Sequence, residues 1–473
     1  MVFSSVTFLF VFLPLFLLVY YALPFDSRSA WILAASWIFY AWWRLDFLVL
    51  LVFAAVCAWY IGTRVARHRE TRPRRSRAWL TAGVCIALGV LAYFKYFNFG
   101  VETLSALLYT LRGRRLTAWS VILPIGISFY TFQLISYLVD VYRGDAPVAR
   151  RFVDVAAYVS LFPQLVAGPI VRYREIAGQL QRREHSFEKF NAGALRFMVG
   201  LARKVLIADA VAPLADAVYA TPGTGLTGAW LGVAAYTIQI YFDFAAYSDM
   251  AVGMGLMLGF RFPENFDAPY HSTSVTEFWR RWHMTLSRWL RDYLYIPLGG
   301  NRRGGGRTIV NLMTVMALGG LWHGAAWSFL LWGLWHGVWL VAERLLGLRG
   351  DRGRGARAPA APLRRAATLL IVMVGWVLFR ADSLGAAVGM YAAMIGLDGV
   401  AIGELLAWRI DTGALVALAA GWLIVIVEPT LVKRLAGIDL PHVVVRASIY
   451  VVFVLSLVRV LAASYSPFLY FQF

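Results

Sequence analysis

Charge is scarce in this chain of 473 residues: 15% are Asp, Glu, Lys or Arg, against 60% apolar and 15% aromatic. A soluble chain carries nearer ~25% charged residues. Here the apolar residues run on in long stretches, and the mean hydropathy is +0.64. That shortage excludes a soluble enzyme, a disordered protein and a fibrous one, and leaves an all-α, polytopic membrane protein. Cysteine is scarcer still. Cys57 and Cys85 both lie in apolar runs, which excludes a zinc cluster and reads as inert packing. The sequence also lacks a Gly-x-x-x-x-Gly-Lys phosphate loop, a Gly-x-Ser-x-Gly elbow and a His-Glu-x-x-His pair. An ATP-driven pump, a serine hydrolase and a zinc protease are disfavoured accordingly. An internal repeat of the kind that builds inverted-repeat transporters is missing too.

Of the charges present, acids are the rarer sign, and the net charge is +19. The position of the basic residues argues against nucleic acid. Arg64–Trp79, Arg280–Arg307 and Arg344–Arg365 each hold seven arginines and one acid, 21 of the 45 basic residues in all. Each adjoins hydrophobic spans, as the positive-inside rule expects of cytoplasmic loops, and no separate polar domain exists to grip a duplex. The N-terminal stretch, which has neither a basic n-region nor a small-residue cleavage site, reads as a retained first span. Counting back from Arg64–Trp79 puts the N-terminus outside. Loop Gly100–Thr117 then falls outside as well, carrying Arg112, Arg114 and Arg115 against the rule.

A crossing needs ~20 apolar residues. Candidates are Thr7–Leu23, Trp31–Trp43, Phe47–Val65, Ala78–Phe97, Ser120–Tyr142, Phe190–Val218, Ala229–Phe260, Ile309–Arg344, Ala366–Phe379, Thr412–Val427 and His442–Ala463. Ile309–Arg344 fits either one span plus a re-entrant piece or a tight hairpin. Ten to twelve transmembrane helices are expected. They form one membrane domain over 1–473, with N-terminal helices in 1–119, a core at 120–345 and C-terminal helices in 364–473. Phe152–Ile170 and Phe262–Gly300 are too polar to span and too apolar to be ordinary loops. Irregular backbone at membrane depth survives only where protein or a water-filled cavity surrounds it, so these segments imply re-entrant or interfacial pieces around a vestibule. Gly350–Pro362 reads as a flexible link.

Seven histidines occur, and context sets most of them aside. His323 lies in Leu-Gly-Gly-Leu-Trp-His-Gly-Ala-Ala-Trp, within an apolar run. An ionisable group at that depth points to function. Gly319, Gly320 and Gly324 permit close approach, and a neutral imidazole is poised to take a proton near pH 7. The alternative is a packing histidine bonded to a carbonyl. His283 sits in Glu277–Asp292, which reads as one amphipathic interfacial helix with its tryptophans in the headgroup layer. Either that helix only rests on the membrane, or Arg280, Arg281, Arg288 and Arg291, beside Trp279, bind the phosphates of a cytosolic donor. His336, 13 residues past His323, would point to a roughly opposite face of a continuous helix and reads as structural. Asp243 and Asp249, near Tyr241, are intramembrane acids expected to face a cavity or a partner, as are Glu343 and Glu428. Asp243 would either orient an imidazole or pair with an arginine of the interfacial helix.

Long strings within the sequence resemble the membrane-bound O-acyltransferases, and among them the membrane subunit of bacterial alginate O-acetylation systems. They are LPIGISFYTFQ (Leu123–Gln133), FPQLVAGPIVRY (Phe162–Tyr173), YFDFAAYSDMAVGMGLMLGFRFPENF (Tyr241–Phe266), EFWRRWHMTLSRWLRDYLYIPLGGNR (Glu277–Arg302), GLWHGAAWSFLLWGLWHG (Gly320–Gly337), GWVLFR (Gly375–Arg380) and SPFLYFQF (Ser466–Phe473). The resemblance implies a helical bundle with a funnel from each face meeting near His323. It places the catalytic histidine on His323 and a second motif histidine on His283. A D-alanine-transferring branch shares Trp-His-Met-Thr but lacks the continuation found at Ile296–Arg302, which favours the polysaccharide-acetylating branch over D-alanyl transfer. On this reading no cofactor or metal is permanently bound. Acetyl-CoA or another acyl thioester is the co-substrate on the cytoplasmic side of a bacterial inner membrane. The acceptor is a hydroxyl of an extracytoplasmic polysaccharide or of a periplasmic partner acetyltransferase. His323 acts as general base, or through a transient acetyl-imidazole. A proton-coupled transporter and an inactive scaffold are the competing classes.

Overall fold

The computed structural model describes residues 1–348, 360–435 and 442–462, without the side chains of 428–435 and 442. Most of Gly350–Pro362, the Glu428 side chain and Ser466–Phe473 lie outside the described residues. Those described hold helices and no strand. Backbone contacts divide the chain into two units, Met1–Ala194 with Ala251–Pro263, and Leu195–Met250 with Glu264–Phe473.

The first unit opens with a π-turn (Phe8–Phe12), α1 (Leu13–Ala22), α2 (Phe25–Ala41), α3 (Leu45–His68) and α4 (Pro73–Arg112). In α4, Pro73 sits in the first turn, where its missing N–H leaves no gap. The helix stops at Gly113, whose left-handed φ of +66° lets its amide close on the Tyr109 carbonyl at 2.9 Å. Its 40 residues span about 60 Å. The segment read as a loop from Gly100 is therefore helix as far as Arg112.

After α5 (Ile127–Arg143) come α6 (Phe152–Ser160), the single turn α7 (Phe162–Leu165) and α8 (Tyr173–Gln181). A nine-residue helix such as α6 covers ~13 Å, less than half the hydrocarbon. α6 and α7 are nonetheless largely buried, and side chains satisfy the irregular backbone: Tyr158 donates to the Val171 carbonyl (2.9 Å) and Gln164 to the Tyr158 carbonyl (2.6 Å). Backbone that leaves the helix can be buried only with such partners.

Helix α9 (Phe187–Ala202) leads into the second unit. The apolar run Phe190–Val218 is interrupted there by a π-turn, Arg203–Ala208, before α10 (Asp209–Tyr219). Next come α11 (Gly225–Met257) and two short helices, α12 (Val275–Arg281) and α13 (Met284–Leu290). The long pair α14 (Gly304–His323) and α15 (Trp327–Leu345) follows. Of the two readings of Ile309–Arg344 the hairpin is the one observed. Glycines make it tight: a β-carbon on Gly320 would lie 2.2 Å from the Phe329 carbonyl oxygen, and one on Gly333 2.2 Å from that of Met316. Small residues let helix backbones touch where lipid supplies no hydrophobic drive.

The unit continues through α16 (Ala361–Arg380), α17 (Leu384–Met394), the single turn α18 (Glu404–Ala407), α19 (Thr412–Leu435) and α20 (His442–Ala462). Among the described residues four helices are long and apolar enough to cross a membrane: α3, α4, α16 and α20 from Val443. Ala229–Phe260 is almost wholly one unbroken helix, α11, of 33 residues, whereas Thr7–Leu23 and Phe190–Val218 carry π-turns and Ile309–Arg344 folds back on itself. The core of the second unit is aromatic, with Phe278, Trp282, Trp332, Trp376 and Phe379 all at least 98% buried.

Candidate functional site

The segment Glu277–Asp292 is not one helix. It breaks at His283, a non-glycine residue with φ +42° and ψ +52°, between α12 and α13. A left-handed conformation costs an L-residue about 1–2 kcal/mol, so the surroundings must hold it there. Asn265 does so. Its backbone carbonyl accepts the Met284 amide (2.9 Å). Its side-chain Oδ1 accepts from the Thr285 hydroxyl (2.8 Å), the Thr285 amide (3.3 Å) and His283 Nδ1 (3.1 Å), while its Nδ2 donates to Ser248 Oγ (3.0 Å). A backbone N–H can only donate, so the Thr285 amide identifies Oδ1 as the oxygen. His283 Nδ1 must then carry the hydrogen, and Nε2 presents its lone pair. Nε2 is buried and finds no hydrogen-bond partner among the described residues. Burial lowers the His283 pKa from 6.5 to about 3 and keeps the ring neutral.

The break also redirects the tryptophans expected in the headgroup layer. Trp282 is 1% and Trp289 6% exposed, and Trp279 packs against Trp332 (5.7 Å between ring centroids) and His336 (5.3 Å). A continuous helix would have displayed them along one surface, whereas the turn at His283 drives Trp282 into the core.

His323 is the last residue of α14 and lies 6.3 Å from His283, centroid to centroid, with the two rings at 65°. Trp322, Trp332 and Phe379 surround it at 5.0–5.3 Å. At 4% exposure His323 is closed off in this conformation: where the resemblance implies that two funnels meet, the ring is walled by Trp322, Trp332 and Phe379. Because α15 returns beside α14, His336 is not on the far face of a continuous helix. It reaches the other side of Trp332 (5.1 Å) and stacks on Phe278 (6.1 Å). Gly320 and Gly324 are close-approach positions, as expected, while Gly319 makes only an ordinary contact with Leu290.

The arginines divide. Arg281 is paired with Glu277 (3.0 Å) and Asp267 (3.3 Å), and Arg291 with Asp292 (2.7 Å). Arg280 is exposed and Arg288 half-buried, and neither makes an ion pair among the described residues. The ion pair observed for Asp243 is with Lys204, at 2.6 Å, rather than with an arginine of the interfacial segment; Lys204 also binds Asp209. Lys204 is 1% exposed and lies inside a run that reads as apolar, so composition alone does not mark the pair. Asp249 binds Arg196 (2.8 Å) and Arg203 (3.2 Å). Tyr241 joins the aromatic core against Tyr270 (5.2 Å). Glu343 accepts the Thr276 amide (2.9 Å) and hydroxyl (2.6 Å) and the Val275 amide, so it caps the helix that leads to His283. Asn265 went unnoticed in the sequence, where only its place in the Pro-Glu-Asn-Phe string marked it.

The arrangement is a pair of buried imidazoles in an aromatic box, His283 held neutral, suited to moving a proton. Comparison with known proteins identifies the family. The membrane-bound O-acyltransferase family matches residues 149–350, which contain both histidines. The chain is 46% identical to a probable alginate O-acetylase of Azotobacter vinelandii and 47% identical to one of Pseudomonas putida, in each case over the whole of both chains. It is 35% identical to a peptidoglycan O-acetyltransferase of Helicobacter pylori, over 86% of this chain and 82% of the other. With full-length identity at this level and a buried histidine pair inside the matched region, the chain belongs to the membrane-bound O-acyltransferase family and is a membrane enzyme of acyl transfer.

Proposed function

We propose that the enzyme moves an acetyl group from a cytoplasmic thioester, acetyl-CoA, to a hydroxyl on the far side of a bacterial inner membrane. The acceptor is an extracytoplasmic polysaccharide or the serine of a periplasmic partner. The observation that carries this reading is the His283–His323 pair, 6.3 Å apart and all but sealed from water. In the reaction the acceptor oxygen forms a bond to the thioester carbonyl carbon and the carbon–sulfur bond breaks. His323 takes the hydroxyl proton and returns it to the departing thiolate. A base of this kind contributes roughly 10²–10⁴-fold. His323 ends a 20-residue helix, so the negative end of that helix faces the charge that develops on the ring. His283, with Nδ1 committed to Asn265, offers Nε2 to a polar atom of the reacting complex. Trp332 and Phe379 must part to admit the reactants and would reclose to exclude water, which protects the thioester from hydrolysis. Arg280 and Arg288, which alone of the four arginines of Glu277–Asp292 make no ion pair among the described residues, are the ones left to meet donor phosphates. The activities for which the relatives are named, alginate O-acetylation and peptidoglycan O-acetylation, support a polysaccharide as the final acceptor.

The test is genetic. His323→Ala, present in membranes at wild-type abundance, should leave the extracytoplasmic polysaccharide without ester groups. A normal acetyl content in that strain would end the proposal.

A further inference from the structure

The reaction at His323 leaves one buried histidine without a task. His336 is fully buried in the same unit as His323, and neither of its ring nitrogens makes a hydrogen bond among the described residues. Aromatic rings hold it instead. Phe278 stacks on it at 9°, while Trp279 (5.3 Å) and Trp332 (5.1 Å) meet it edge to face. The indole Nε1 atoms of Trp279 and Trp332 are likewise buried without a hydrogen bond among the described residues. On α16, Gly375 faces His336 Nε2, and a β-carbon there would lie 3.1 Å from it. Packing alone does not call for an imidazole here. A phenyl ring stacks as well, and a buried polar group without a partner is costly. Four such atoms in one aromatic box match a ligand that brings polar atoms of its own.

Position on the hairpin selects the ligand. By the positive-inside reading of Arg280–Arg307 and Arg344–Arg365, α14 leaves the cytosol and α15 returns to it. His323 ends α14, at the far end of the hairpin. His336 is nine residues into α15 from Trp327 (336 − 327), about two and a half turns back toward the cytosol. A donor rising from the cytosol passes it before reaching His323. Trp332 stands between the two imidazoles, 5.1 Å from each, so their centroids are at most 10.2 Å apart, twice that distance.

A CoA thioester carries amides at this spacing. From the reacting carbonyl carbon the chain runs through sulfur and two methylenes to the first amide nitrogen, about 5 Å when extended, and the second amide follows about 5 Å further on. A neutral imidazole has one N–H and one lone pair, the complement of an amide's C=O and N–H. The indole N–H groups of Trp279 and Trp332 add donors for carbonyl oxygens. We propose that His336 binds an amide of the donor's arm, with Trp279 and Trp332 beside it, and so selects amide-bearing thioesters and sets the acetyl group against His323. The ligand class rests on the proposed thioester reaction; the unbonded nitrogens are a feature of the fold alone.

The experiment compares two donors on the full chain in nanodiscs: acetyl-CoA, and an analogue in which CH2–CH2 replaces each amide of its arm. Wild-type kcat/KM should favour acetyl-CoA about ten-fold. His336→Phe should lose that preference by slowing on acetyl-CoA alone. Its melting temperature without donor should equal or exceed that of wild type, because the stacking stays and two unbonded polar atoms go; a merely structural imidazole predicts a lower one. His336→Gln, which restores a donor and an acceptor, should keep part of the preference. If His336→Phe does not fold, wild type and His336→Gln decide by the same ratio. Equal use of the two donors by wild type, or a full preference surviving in the folded variants, would overturn the proposal, as would a change confined to the acceptor's KM. Wild-type protein that turns over neither donor would end the thioester reading and this inference with it, whereas turnover of both alike ends only the inference.

Discussion

The second unit buries two polar clusters and completes them differently. Around Lys204, a buried ammonium meets two carboxylates, Asp209 and Asp243, and the charges answer one another within the protein. Around His283, the hydrogen bonds lock one side of the ring to Asn265 and leave Nε2 buried without a hydrogen-bond partner among the described residues. An unsatisfied buried acceptor is costly to keep. The first cluster is therefore closed by its own opposite charges, and the second keeps one buried acceptor without a hydrogen bond from the described residues. A buried charge alone does not mark a catalytic centre; the group left without a partner is the better guide.

The comparison breaks most visibly if Lys204 is removed. Lys204→Met leaves two buried carboxylates without their cation and should cost about 3–5 kcal/mol, read as a lower melting temperature and a poorer membrane yield. Adding Asp243→Asn should recover part of that loss. A Lys204→Met protein as stable as wild type would mean that the cluster is not structural.

Asn265→Ala should cost less stability, about 1–3 kcal/mol, and should slow transfer even in protein that remains folded. Asn265→Asp separates positioning from mere packing. It keeps an oxygen acceptor but sets a negative charge beside the imidazole, which favours the protonated ring. Its activity should therefore fall away at higher pH than that of wild type as the solution is acidified, and an unshifted profile would count against a positioning role.

A smaller effect follows from the buried ring itself. His283 titrates at about 3 when folded and near 6.5 when unfolded. Because the unfolded chain takes up the proton first, stability held above pH 6.5 is lost as the pH falls from about 6.5 toward about 3. The melting temperature should drop between about pH 7 and about pH 5, and by less in His283→Asn. Equal drops in the two proteins would contradict the assignment. Smallest of all, Arg281→Gln removes half-exposed ion pairs to Glu277 and Asp267 and should change stability by about 0–1 kcal/mol.

The sequence made the helical membrane class legible through its apolar runs, and made His323 legible through one ionisable residue among glycines and tryptophans. The hairpin of α14 and α15 remained one of two readings, because the contacts of Gly320 and Gly333 lie across helices. The break at His283 left no trace in the period of the tryptophans, since a single positive φ alters no composition; it is set by Asn265, 18 residues earlier. The fate of Asp243 was hidden because its partner Lys204 sits in an otherwise apolar run. Glu343 reads as an intramembrane acid in sequence and serves as a helix cap in the fold. Helix period reports which residues share a face, and long-range hydrogen bonds decide which of them are spent.

The most direct measurement is turnover of an acetyl thioester, with an acceptor hydroxyl present, by purified wild-type and His323→Ala proteins matched for folded amount. The account predicts a loss of roughly 10²–10⁴-fold in the variant. Undiminished turnover would mean that this histidine only fills space, and would contradict the account.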